Sequence, residues 1–237
     1  YDVTAEDGGY SALSATVKNI DPLLNAISEG LQIAPGTKLN FMMNPAQNHL
    51  TLRAASDYVE RGKMLATKLN VNVTNQGDSL AMYMSSEDLY SGMLHLPQLS
   101  VMGGAKNNRV LLSAGFDDKT DSLSGVMALM AQLRRVEPTG MPCVDVTLFP
   151  ATFNVGREQW RVTSDRISLD STRIEINDFL VASERQQLHL SGVVSRSLTD
   201  SLTVRMRDFE LGPFTGFATK LGYSVRALGN GVASIKG

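Results

Sequence analysis

The chain has 237 residues, 43% hydrophobic and 19% charged, with a formal net charge of −2. One cysteine, Cys143, excludes an internal disulfide framework. Three histidines leave little material for a metal cluster, and a near-neutral balance without a Lys/Arg block argues against a nucleic-acid surface. No run approaches the roughly 18–20 apolar residues of a membrane-spanning helix. No leader pattern opens the chain at Tyr1, so it reads as a soluble segment of a longer protein.

In chain order, Val17-Lys18-Asn19-Ile20 leads into a predicted helix over Asp21–Gly30, with an N-cap residue, Pro22 in the first turn and Gly30 after the end. Its apolar residues Leu23, Leu24 and Ile27 share one face. Alternation then dominates. Apolar residues at every second position mark half-buried strands at Leu50–Leu52, Leu69–Thr74, Leu80–Met84, Val110–Phe116 and Val144–Leu148. The same phase recurs at Ile174–Ile176, Leu188–Gly192 and Leu202–Met206. Turns are expected at Asn75–Asp78, Gly103-Gly104, Asp117–Asp121 and Leu198–Asp200. A second helix is predicted near Gly212–Gly222, where Phe214, Phe217, Ala218 and Leu221 follow helical spacing. A last alternating run, Gly231–Gly237, ends on a strand that the natural protein is expected to continue.

This pattern predicts a mostly β, antiparallel fold of roughly 13–15 strands with one dry face and one wet face. The helices carry similar lead-ins, Val17–Ile20 and Met206–Phe209, and Asp-Ser-Leu launches strands at Asp78, Asp121 and Asp200. Such self-similarity suggests a repeat architecture. Residues 1–38 then form a strand and helix ending one repeat, 39–205 a central β-domain, and 206–237 the second helix and the start of the next repeat.

Catalytic signatures are missing: no Gly-x-Ser-x-Gly elbow, phosphate loop, His-Glu-x-x-His or Cys-x-x-Cys occurs. Asp117–Asp121 has Lys119 where a calcium loop needs an oxygen ligand and reads as a solvated turn. His49, His95 and His189 lie on different predicted strands, and Cys143 reads as a packed thiol. Asn72-Val73-Thr74, a glycosylation triplet, falls mid-strand. No catalytic site, cofactor or metal is expected. Met42, Met43, Met82, Met84, Met127 and Met130 sit in strand-like runs, where they act as ordinary core filling or as an adaptable apolar lining. Lone Trp160 and few other aromatics speak against a sugar-stacking platform.

Val144–Pro150, Phe153-Asn154-Val155 and Trp160-Arg161-Val162 begin a recognisable string. It continues through Arg173–Phe179, Gln187–Ser195, Asp200-Ser201-Leu202, Met206–Phe209 and the Gly222, Gly231 and Gly237 ending. In order and spacing this string resembles the TamB family of envelope proteins, of the AsmA-like superfamily, in the form found in Bacteroides-like bacteria. The likeness runs from about Leu80 to Gly237. It implies a protein anchored in the inner membrane by an N-terminal helix absent from this chain. The β-rich body would cross the periplasm and meet an outer-membrane barrel of the Omp85 class through regions outside the chain. It also implies an elongated curved sheet forming a β-groove, associated with outer-membrane assembly and with movement of phospholipid or other acyl-chain lipid.

On that expectation the candidate lipid lining is Leu80, Met82, Met84, Val110, Leu112, Val144, Val146, Leu148, Leu202 and Val204, which hold the apolar phase of their strands. Leu23, Leu24 and Ile27, with Phe214, Phe217 and Leu221, are candidate plugs for the groove's ends. The rival expectation from alternation is a closed β-sandwich that binds glycans for a surface uptake system, and a ligand-free structural spacer is a third.

Overall fold

A computed structural model describes residues 2–6, 10–17, 30–92, 94–119, 122–136, 141–195, 197, 199–210 and 228–236. Eighteen strands and one short 3-10 turn occur among them, and the chain is mostly antiparallel β as its alternation predicts. Both predicted helices, with Leu23, Leu24, Ile27, Phe214, Phe217 and Leu221, lie outside the described residues. The chain forms two compact units, Tyr1–Asn107 with Ala114–Asp118, and Asn108–Ser113 with Lys119–Gly237. That boundary differs from the repeat limits expected at 38/39 and 205/206.

The first unit holds β1 (Asp2–Glu6), β2 (Tyr10–Thr16), β3 (Leu31–Ile33), β4 (Lys38–Asn44), β5 (His49–Arg61), β6 (Met64–Gln76), β7 (Ser79–Ser91) and β8 (Leu94–Lys106). Its ladder runs β1–β2–β4–β5–β6–β7–β8, and β3 pairs with the far end of β5. The expected turn at Gly103-Gly104 is corrected: both glycines lie inside β8, opposite Met82 and Ala81. The reversal comes at Asn107-Asn108, whose φ values of 51° and 59° suit a tight hairpin and which asparagine tolerates better than most residues. Strand β9 (Arg109–Asp117) contributes residues to each unit.

A crease crosses the long strands of this unit. Pairing is interrupted where Asp57, Lys68, Glu87 and Gln98 face one another on β5 to β8. Lys68 and Gln98 take φ values of 48° and 47°, left-handed conformations that step the chain by one residue. Before the crease the apolar phase of β5 is Leu50, Leu52 and Ala54. Beyond it the phase shifts to Val59, which shares a cross-strand row with Ile33, Ala66, Leu89 and Leu96. Buried hydroxyls satisfy the interrupted backbone. Ser56 donates to the Tyr58 carbonyl at 2.6 Å, Ser86 to the Asp88 carbonyl at 2.7 Å, and Thr37 to the Ala34 carbonyl at 2.6 Å. No buried side-chain polar atom among the described residues lacks a partner.

The second unit contains β10 (Leu123–Val136), β11 (Met141–Leu148), β12 (Ala151–Val155), β13 (Glu158–Thr163), β14 (Arg166–Leu169), β15 (Arg173–Ala182), β16 (Gln187–Ser195), β17 (Ser201–Glu210) and β18 (Leu228–Lys236). Strands β11 and β12 are two halves of one broken strand beside β10, and β13 and β14 are two halves of the next, beside β15. From there β15–β16–β17–β18 continue as neighbours. The breaks at Phe149-Pro150 and Ser164-Asp165, and the bulge ending at Asp178 (φ 52°), again step the apolar phase by one residue. A further bulge follows at Asp208 (φ 46°) on β17.

One arm of the second unit is filled by its own side chains. Val162, Val181 and Phe209 are buried, and Leu148, Phe153, Trp160, Phe179, Leu188 and Met206 pack around them. Trp160 on β13 meets Phe209 on β17 edge-on, with ring centroids 5.9 Å apart. Those strands are three ladder steps apart, about 14 Å on a flat sheet with side chains standing perpendicular, so the sheet curls toward this face. Gly192 on β16 permits the close approach of β17. Its φ is 129°, and a Cβ there would collide with the Ser201 carbonyl oxygen and lie 3.1 Å from Leu202 Cα.

Candidate functional site

The apolar face comes from the pairing register. Residues opposite one another in an antiparallel ladder point to the same side. In the first unit one row runs Leu13–Phe41–Leu52–Val73–Met82–Gly103, and the next runs Ala15–Leu39–Ala54–Val71–Met84–Val101. Met82 and Met84 therefore lie within a continuous apolar band, one strand in from β8, with Leu80 one row toward the turn and 41% exposed. Most side chains of this band are only half-buried, and the unit's described strands form one ladder without a second layer of their own.

In the second unit a row runs Ala131–Val146–Ile167–Ile176–Gly192–Leu202, and beside it lie Leu133, Val144, Leu169, Ile174 and Val194. Val144 and Val146 are half-buried positions of the candidate lining. Leu202 departs from it: at 8% exposure it belongs to the packed interior. Leu148 packs against the aromatic cluster for the same reason, because the curl brings that arm over itself. Val204 pairs with Leu190, one row nearer the cluster. Val110 and Leu112 keep one phase of β9, Val110 at 37% exposure.

The opposite face of each unit is polar. In the second unit Asp145 accepts from Arg134 Nη2 at 3.1 Å, pairs also with Arg134 Nε, and accepts from Ser168 Oγ at 2.6 Å. The Arg134 guanidinium holds the Asp145 carboxyl below the usual aspartate range, helped by Ser168 and opposed by partial burial. Cys143, buried beside this pair, places its Sγ 3.9 Å from Asp145 Oδ1. Outward polar side chains at alternate positions are what leave the other face apolar.

The three histidines do not converge. His49 lies 3.2 Å from the Asn75 carbonyl, His95 pairs with Asp88 at 2.7 Å and stacks on Tyr90, and His189 meets Asp178 at 2.5 Å. Among the described residues no three His, Cys, Asp or Glu side chains are placed to hold a metal ion. Lys119 has a φ of 59°, and residues 120 and 121 of the expected turn lie outside the described residues. Asn72 is exposed on β6.

The crease residues were missed by reading alternation alone. A signal was present: Ser56, Gly62 and Lys68 recur as Ser86, Gly92 and Gln98 at one constant interval, making β5–β6 and β7–β8 two copies of one hairpin. No family model, no curated protein and no solved structure matches this chain.

Proposed function

We propose that the chain is a periplasmic segment of a TamB-like envelope protein whose apolar sheet faces shield acyl chains between the inner and outer membranes. The observation that carries this reading is the half-exposed apolar band through Met82 and Met84, continuous over strands β2 to β8 without a covering layer in its unit. Each acyl methylene left in water costs about 0.8 kcal/mol, so a ~16-carbon chain costs about 13 kcal/mol. A strip of aliphatic and thioether side chains removes much of that cost along its length while the headgroup stays in solvent. Uniform hydrophobicity suits passage better than a tight polar pocket, since no position holds the chain strongly. Methionine adds conformational adaptability to the strip. In the second unit the strip is confined to the arm of Val144 and Val146, because the aromatic cluster occupies the other. Contact with an Omp85-class barrel would involve regions outside this chain.

The test is lipid capture. Purified protein is equilibrated with a photoreactive fatty acid, irradiated and mapped by mass spectrometry. Labelling is expected on the strands carrying Met84 and Val146, and Met84→Glu and Val146→Arg should each reduce it several-fold while far-ultraviolet circular dichroism is unchanged. Undiminished labelling in these folded variants, or labelling confined to the polar faces, overturns the reading.

A further inference from the structure

We propose that the polar face of the first unit, on the side opposite its apolar band, is a binding surface for an acidic polysaccharide. Two cross-strand rows build it. Asn40, Arg53, Asn72 and Tyr83 stand opposite one another on β4 to β7, and Lys38, Ala55 and Asn70 form the adjacent row. The short side chain of Ala55 between longer neighbours leaves a shallow depression of about 260 Å³ lined by these residues. A second depression, of about 310 Å³, shares Lys38, Ala55 and Asn70 and extends to the crease.

Charge decides the ligand's sign. In strands β2 and β4, and in β5 to β8 on this side of the crease, no carboxylate occurs. Lys38 and Arg53 stand there without a side-chain partner among the described residues, in a chain whose net charge is −2. Among the described residues every ion pair of the unit is at or beyond the crease, Lys68 with Asp57 and His95 with Asp88. Two unpaired cations side by side favour carboxylate or similar anionic groups, and arginine offers a planar fork for them.

Hydrogen-bonding density decides the ligand's class. Asn40 accepts from Ser14 at 2.9 Å, which leaves its amide N–H groups free to donate outward. Asn72 has both amide functions unused, and Tyr83, 46% exposed, offers a flat ring and a hydroxyl. Amides with an aromatic face suit the hydroxyls and C–H faces of sugars, and the cations suit uronate-type carboxylates. The hollows, of about 260 and 310 Å³, lie at the bottom of the about 300–1,000 Å³ range of pockets that enclose a drug-sized molecule, and they suit a chain lying across the strands. A nucleic acid would need many more phosphate contacts than two cations supply. Because the surface lies on the far side of the sheet, it does not depend on what the apolar band carries.

The experiment is a calorimetric titration of the whole chain at low salt with polygalacturonate, neutral dextran, oligothymidylate and phosphatidylglycerol vesicles. Polygalacturonate is expected to bind and dextran to bind more weakly. Arg53→Gln and Lys38→Gln should each weaken binding about tenfold, as loss of a charge-assisted hydrogen bond would. Asn72→Ala should weaken it less, and Arg161→Gln and Met84→Glu should leave it unchanged. Failure of polygalacturonate to bind overturns the proposal, as does unchanged affinity in the Lys38 and Arg53 variants. Tighter binding of oligothymidylate or vesicles, lost in the same variants, reassigns the surface and overturns it equally.

Discussion

Replacing Gly192 by alanine probes the tightest point of the second unit. At φ 129° the position lies in a region that only glycine occupies comfortably, so any Cβ brings about 1–3 kcal/mol of backbone strain. The same Cβ would collide with the Ser201 carbonyl and approach Leu202 Cα at 3.1 Å. Both are backbone atoms and cannot rotate aside, so β17 must move, at a cost of about 1–3 kcal/mol typical of overpacking. The combined loss is about 2–6 kcal/mol, a large share of the roughly 5–15 kcal/mol that holds a domain folded. Urea unfolding can be followed by the fluorescence of Trp160, the chain's single tryptophan, which packs against Phe209 within this unit. With a slope of about 1.5 kcal/mol/M the midpoint should fall by about 1–4 M. Gly104→Ala is the matched control, since its Cβ would meet only the Leu80 carbonyl, at an ordinary 3.5 Å, and a shift within about 0.5 kcal/mol is expected. A Gly192→Ala variant that loses less than about 1 kcal/mol would refute the close approach of β16 and β17.

Phe209→Ala, emptying the one fully buried large side chain among the described residues, should cost about 3–5 kcal/mol and shift Trp160 emission to the red. At the crease, Gln98→Gly should be neutral or stabilising by up to about 1 kcal/mol, whereas Gln98→Val should destabilise, because a β-branched residue resists a φ of 47°; equal melting temperatures for the two would count against the left-handed step. Asp145 has a lowered pKa, chiefly through Arg134, so its stabilisation is complete above the unfolded value near pH 4 and is lost as pH falls through the lower folded value. Solvent reaches the pair, so the effect is under about 1 kcal/mol. Asp145→Asn should flatten the drop in urea midpoint between pH 5 and 2.5, and an identical drop in wild type and variant would exclude this contribution.

Much of the fold was legible one strand at a time. Leu50–Leu52, Leu80–Met84, Val144–Leu148 and Leu202–Met206 alternate because each strand has one wet side, and all four fall in observed strands. Alternation is a local property, carried by each residue's neighbours in the chain, so it needs no knowledge of which strands pair. Turn chemistry expected a reversal over Asn75–Asp78, which the structure narrows to Gly77-Asp78, and it misplaced another at Gly103-Gly104, because glycine occurs inside strands as well as at reversals.

Amino-acid order alone determined that this is an antiparallel β protein with one apolar face, and which side chains hold the apolar phase on each strand. Only the tertiary arrangement decided which of them stay uncovered. Leu202 and Val146 look alike in sequence and share one cross-strand row, yet the first is buried and the second half-open. Exposure depends on where the sheet bends, and the bend comes from the one-residue steps at Lys68, Gln98, Asp178 and Asp208. A left-handed residue inside a strand shows in the hydrophobic pattern only as a one-residue shift of phase, as between Ala54 and Val59 or between Ile176 and Phe179. Its place is set by the line it forms with the steps on neighbouring strands.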